Sequence, residues 1–311
     1  MAQAQRTAAL PTIGWVAGDP TLAEISGPDP ANRPARAFLH RLRDLGWIDG
    51  RTVIILRRSA ESRRERVPDI IAEFVARGVD VIFAGAADWL IEAAHAATRT
   101  IPIVALFNRD PEATGLVASL ARPGGNLTGV TTTTGRELYE KRLQFFKELV
   151  PKTERLAFLG TTLAWAAYRG ETDSAAAPGL FVAVDQAEDL DRAFATLSRE
   201  RADGLLVSHG PIMFINIHRI VAFAAANRMP AAYPWREATE AGGLMSYGSS
   251  AQGLFREAAG YVDRILKGRK SAEIPIGQPT NFELAINLST ARALGLDVPA
   301  ALLARADEVI D

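Results

Sequence analysis

Cysteine is absent from this chain of 311 residues, which excludes disulfides, thiolate metal sites and cysteine nucleophiles. No apolar run reaches the eighteen or so residues that a membrane-spanning helix needs. The first ten residues, MAQAQRTAAL, hold too short an apolar stretch for a signal peptide, so the chain as it stands reads as soluble. Ala2 to Gln5, AQAQ, resembles what remains after a leader is cleaved at small residues. Excess charge is also missing: 35 basic side chains face 36 acidic ones. No global field draws such a chain to nucleic acid or anionic lipid. The one basic cluster, Arg57, Arg58, Arg63, Arg64 and Arg66, is interleaved with Glu61 and Glu65 and lacks the aromatics on which bases would stack. It reads as a solvated strand end and helix start.

Several chemistries are missing as well. After the strand expected at 12–17 comes GDPTLAEISGPDP, which has neither GxGxxG nor GxxxxGK[ST], so no nucleotide or other cofactor is expected. The four histidines, His40, His95, His209 and His218, show no tight ligand spacing, and no metal site is expected. Ser208 and His209 are adjacent, but neighbours on a strand point to opposite faces and are poorly placed as nucleophile and base. There is no GxSxG elbow.

What is present is a repeated alternation of short Val/Ile-rich runs with amphipathic helical stretches, the pattern of βαβ units on parallel sheets. Strands are predicted at 12–17, 52–57, 79–84, 101–107 and 127–131, with helices at 38–45 and 68–77. Gly46 and Gly78 follow those helices at positions where a left-handed conformation suits glycine. A second series follows: helix 137–149, strands 155–159 and 180–184, helix 190–201, strand 204–208, helix 212–228 and strand 231–233. Strand 243–247, helix 254–267 and strand 282–288 complete it. About eleven strands are too many for one small sheet, and the length suits roughly two domains of ~150 residues. The fold class is therefore α/β, with two similar α/β lobes.

Asp19, Asp88 and Asp110 each fall at or just beyond a strand's C-terminal end, the edge where α/β folds place ligands. They serve equally well as helix N-caps, Asp88 above all. The segment 233–248, YPWREATEAGGLMSYG, concentrates Tyr233, Trp235, Arg236, Glu237, Glu240 and Tyr247. It reads as a ligand-gripping loop and hinge, or as a surface turn with ordinary ion pairs.

Blocks at 38–58, 76–87, 100–131, 141–160, 199–208, 229–248 and 279–311, in order and at the expected spacing, carry a resemblance over almost the whole chain. They include TIPIVALFNRDPEATGLVASLARPGGNLTGVT and MPAAYPWREATEAGGLMSYG. The chain resembles the tryptophan/tyrosine-type periplasmic solute-binding proteins of ABC importers. The resemblance implies a type I periplasmic-binding fold of the α/β class, whose two Rossmann-like lobes, joined by a three-crossover hinge, close on a small organic ligand. Lobe one is placed at 10–131 plus 244–270, and lobe two at 132–243 plus 271–311. The resemblance also implies a periplasmic location, no catalytic role, and a membrane permease with a separate ATPase as partner.

Two departures bear on the ligand. The segment TTLAWAAYRGETDSAAAPGL at 161–180 is shorter than the helix relatives carry there, and Asp88 and Trp89 replace a small hydroxyl residue and proline. If Asp88 faces the ligand, it opposes an anion at that helix N-terminus. Two unit charges ~4 Å apart at an effective dielectric near 20 interact by ~4 kcal/mol, against ~0.3–1 kcal/mol for an exposed dipole contact. The expectation is an amine, hydroxyl or cationic ligand group at Asp88, an anionic group at Arg109 or Arg236, and a flat ring among Trp15, Trp165, Trp235 and Tyr247. His209, Tyr233 and Glu237 complete the candidate set with Asp19 and Asp110; Asp88 capping its own helix is the competing expectation. Two rival functions are a ligand sensor of the same fold and an enzyme using Asp19, Asp88 and Asp110 as acid and base.

Overall fold

The structure is a computed structural model that describes residues 10–85, 87–132, 136–169 and 179–311. Its elements run β1 Thr12–Ala17, α1 Arg33–Asp44, β2 Ile54–Ser59, α2 Val67–Ala76, β3 Val81–Ala84, α3 Asp88–Ala97, β4 Ile103–Phe107 and β5 Leu127–Thr131. Next come α4 Arg136–Leu149, β6 Leu156–Gly160, α5 Thr162–Arg169, β7 Leu180–Ala183, α6 Leu190–Arg199, β8 Gly204–Val207, α7 Pro211–Ile215 and α8 Ile217–Ala226. The chain ends with β9 Ala231–Tyr233, α9 Arg236–Glu240, β10 Met245–Ser249, α10 Ala251–Leu266, β11 Phe282–Asn287, α11 Leu288–Leu294, α12 Ala300–Leu303 and β12 Glu308–Ile310. None of the described helices is long and apolar enough to cross a membrane.

These elements form two compact units. The first holds the described residues up to Thr132 and Ala251–Pro279; the second continues to Ser250 and resumes over Thr280–Asp311. The chain therefore passes from one unit to the other three times.

Unit 1 is a five-stranded parallel sheet in the order β2-β1-β3-β4-β5. Parallel strands covered on both faces must be apolar throughout, and β3, β4 and β5 are buried at every position. Side chains of β1 alternate between two cores. Ile13 and Trp15 pack with Phe38, Leu42 and Val262 under α1 and α10, while Val16 packs with Phe74, Leu90 and Ile91 under α2 and α3. Gly14 lies on the second face, where a Cβ would sit 2.8 Å from the Phe74 ring. Asn32 starts α1 by accepting from the Ala35 amide at 3.0 Å. Gly46 and Gly78, with φ of 93° and 60°, follow α1 and α2 in the left-handed conformation.

Unit 2 has seven strands in the order β12-β11-β10-β9-β8-β6-β7, all parallel pairs except the antiparallel β10 and β11. β10 therefore belongs to unit 2, although residues 244–250 are expected in lobe one. Its backbone is held by β9 on one side and by β11 over five register pairs on the other. Residues 271–279, expected in lobe two, belong to unit 1, where Gly277 bridges Val130. The helix expected at 212–228 is two helices. Asn216 Nδ2 donates to the Ile212 carbonyl at 2.9 Å, and its own backbone (φ −97°, ψ 16°) leaves the helical region at the junction. β2 starts two residues later than expected, because Thr52 Oγ1 bonds the Gly46 carbonyl and the Ile48 amide and holds the preceding residues in a turn.

Candidate functional site

In a parallel α/β sheet every strand delivers its following loop to the same edge, so residues distant in sequence converge there. Each unit has one such edge.

In unit 1 the loops after β1 to β4 supply the polar groups. Asp19 is half-buried and accepts from Ser62 Oγ at 3.1 Å. Burial pushes its carboxyl up, and the Ser62 bond partly offsets this. Ser62 reaches Asp19 because Glu61 and Ser62 both adopt left-handed backbone, with φ of 52° and 62°. Two successive non-glycine residues there cost roughly 1–2 kcal/mol each. Bonds from the Ser62 amide to the Gly18 carbonyl (2.8 Å) and from the Glu61 amide to Ser59 Oγ (3.0 Å) hold the turn.

Asp88 is the first residue of α3 but makes no cap bond to it. Its side chain turns toward the next loop, accepting from the Asn108 amide and from Arg109 Nε, both at 3.1 Å. Arg109 also pairs with Glu92. Asp88 and Arg109, expected to meet a ligand amine or cation and a ligand anion respectively, thus pair with each other, and the bonds of the Asp88 carboxylate go to the β4 loop rather than to its own helix. Asn108 Oδ1 accepts from Thr132 Oγ1 at 3.1 Å, which ties the ends of β4 and β5 together. Asp110 accepts from the amides of Glu112 and Ala113 at 2.9 and 3.3 Å, as a turn cap. Trp89 lies beside Gly18 and under the Arg64 guanidinium, 5.6 Å from its ring centroid. The three aspartates each bind different partners.

In unit 2 the edge is aromatic and cationic. His209 follows β8, and its ring meets Trp235 edge-on at 5.1 Å; Phe214 meets the other side of this corner, 5.2 Å from Trp235. Beneath them lies Arg142, from α4, fully buried. Its Nε donates to the Tyr247 carbonyl at 2.8 Å, Nη1 to the Val207 carbonyl at 3.1 Å, and Nη2 reaches His209 Nδ1 at 3.4 Å. Burial pushes the guanidinium down to about 10. Burial and the Arg142 charge together press His209 well below the ordinary histidine value.

Other aromatic candidates are packing residues. Trp15 is sealed in the unit 1 core against Phe38 and Phe83, because its position on β1 points it under α1. Tyr233 is fully buried, and burial pushes its hydroxyl up. Trp165 stacks on Phe181 at 4.9 Å and on Tyr168, and Tyr247 packs on Phe145 at 4.8 Å. Arg236 is held by Glu240 and by Glu308 of β12 rather than left for an anion. Glu237 is half-buried on α9. Part of the shortened segment at 161–180, residues 170–178, lies outside the described residues.

Arg142 and Ser62 are the residues that sequence reasoning missed. Arg142 had a readable signal: it occupies an apolar stripe position of α4 with Leu138, Phe145, Phe146 and Leu149, where a charged residue is out of place. Ser62 had none, since it sits within a basic cluster.

Residues 29–310 match the sequence profile of the ABC transporter substrate binding proteins. A tyrosine-binding protein of Clostridioides difficile (strain R20291) is 26% identical over 278 residues, spanning 85% of this chain and 77% of that protein. Among solved structures, an ABC domain in complex with L-Trp from Streptococcus pneumonia superposes with a TM-score of 0.84 at 21% identity, covering 97% of this chain and all of that one. A ligand-free, open substrate-binding protein with adhesive properties from Clostridium difficile gives 0.72 at 20% identity, covering 97% and 99%. The two sheets and the three chain passages between units are those of the type I periplasmic-binding fold. The chain belongs to the family of ABC transporter substrate-binding proteins.

Proposed function

We propose that this protein is the solute-receiving component of an ABC importer, located outside the cytoplasmic membrane, and that it delivers a small aromatic or amino-acid-like ligand to a membrane permease. The observation that carries the ligand class is the corner of His209, Trp235 and Phe214 at the strand-end edge of unit 2. It offers flat apolar faces beside a ring nitrogen and a buried cation. Unit 1 has polar groups at its own strand-end edge, in Asp19, Ser62 and the Asp88–Arg109 pair. Relatives that bind tyrosine or hold L-Trp support the same class. The reading is non-enzymatic: binding shifts the protein toward whichever state holds the ligand more tightly, by the difference in affinity and no more.

Native mass spectrometry of freshly purified protein, followed by a thermal-shift panel of aromatic amino acids, aromatic acids, aromatic amines and polyamines, tests this. A ligand at a hundredfold over its dissociation constant stabilises by ~2.7 kcal/mol. A stabilising compound recovered unchanged is the expected result; one that is consumed moves the protein to the enzymes, and silence from every aromatic compound removes the ligand class.

A further inference from the structure

Arg142 is a fully buried cation whose bonding set contains no carboxylate among the described residues. A guanidinium has five N–H donors and no acceptor. Two of its bonds go to strand-end carbonyls, those of Val207 and Tyr247. The third goes to a histidine nitrogen, and because the guanidinium can only donate, His209 Nδ1 has to accept. A ring whose Nδ1 accepts carries its proton on Nε2 when neutral. Nε2 of His209 has no partner among the described residues, and the ring stands against Trp235, which itself meets the partly exposed Phe214. Besides His209, the titratable groups that act on this cation among the described residues are the phenols of Tyr139, on α4, and Tyr247, on β10.

We propose that Arg142 is a positioning residue that locks His209 as a neutral ring with its proton on Nε2, so that the His209–Trp235–Phe214 corner receives a hydrogen-bond acceptor of the ligand, by preference its carboxylate. A second proton on His209 would have to point at the guanidinium, so the ring stays a single-proton donor. The N–H and the buried positive charge behind it both favour an anion. The proposal rests on the preceding reading that the protein receives a small ligand, and it narrows that ligand to one presenting an acceptor to unit 2.

The test is a long-range proton–nitrogen NMR spectrum of the histidines in the intact protein without ligand, with His209 assigned by its loss in His209→Asn. The expected pattern is that of the Nε2-protonated neutral ring, unchanged from about pH 5 to pH 8. A ring protonated on Nδ1, or one that titrates near the ordinary histidine value of about 6.5, overturns the lock. In Arg142→Met burial still holds the ring below the ordinary histidine value, but the ring is expected to lose its single Nε2-protonated form and show a mixture of both tautomers, which a merely structural role for Arg142 would not produce. The acceptor half is read by adding L-tyrosine and tyramine, which lacks the carboxylate. L-tyrosine is expected to shift the His209 signals and to bind at least roughly tenfold more tightly, the effect of one hydrogen bond to a charged group. Equal binding of tyramine with His209 unmoved overturns it. If neither compound binds, the ligand class proposed above fails, while the tautomer spectrum still decides the role of Arg142.

Discussion

The strand-end edges of the two units handle charge in opposite ways. Unit 1 keeps its ions near solvent and in compensating sets: Asp88 with Arg109, Arg109 with Glu92, Asp19 with a hydroxyl. Unit 2 buries one guanidinium completely and satisfies it with backbone carbonyls and a histidine ring. The first arrangement is adjustable and cheap to alter. The second is rigid, because removing the ion takes the donor from the Val207 and Tyr247 carbonyls at once.

Replacing Arg142 is the hardest blow to that contrast. Arg142→Ala leaves the Val207 and Tyr247 carbonyls without their donor and opens a cavity, so a loss of roughly 3 kcal/mol or more in urea unfolding is expected. A loss below about 1 kcal/mol would put Arg142 on the same footing as the ions of unit 1.

His209 gives the next largest effect. Its native value lies below the ordinary one, so as pH falls through about 6.5 the unfolded chain takes up a proton that the native ring refuses, and stability drops. The drop is at most about 1.4 kcal/mol per pH unit and ends at the depressed native value. The stability of the wild type relative to His209→Asn should therefore fall by up to about 2 kcal/mol from pH 7 to pH 5. A constant difference across that range would mean that His209 is not held neutral.

Asp88→Asn should cost no more than about 1 kcal/mol, since Arg109 is substantially exposed and keeps Glu92. A guanidinium denaturation series that showed several kcal/mol would reveal a buried pair in all but name. The smallest effect has the opposite sign. Helices α1 and α2 of unit 1 are followed by left-handed glycines, whereas α6 and α8 of unit 2 are followed by Arg201 and Arg228, with φ of 52° and 47°. Arg201→Gly should raise the stability of unit 2 by about 0.5–1 kcal/mol, visible as a higher melting temperature.

Local pattern carried much of the fold. β1, β5 and β9 occupy the residues where apolar runs predict them, and the glycines after α1 and α2 were legible as helix ends. The site was read less well. Asp19, Asp88, Arg109 and Asp110 do stand at the strand-end edge of unit 1, and His209 and Trp235 at that of unit 2, because strand direction fixes the edge. Their partners were invisible. Trp15 was misread as a ligand platform, since alternation along β1 tells that it faces a layer but not that Phe38 and Phe83 fill it.

The sequence by itself determined the α/β class, the order of most elements and the absence of thiol chemistry, since these depend on period, turn residues and composition within a few positions of chain. Tertiary structure alone decided that β10 joins unit 2, that Asp88 answers Arg109, and that Arg142 meets the chain at Val207, His209 and Tyr247. Those pairings join residues 21 to 105 positions apart, and only packing of the sheet and its covering helices brings a donor to an acceptor over such distances.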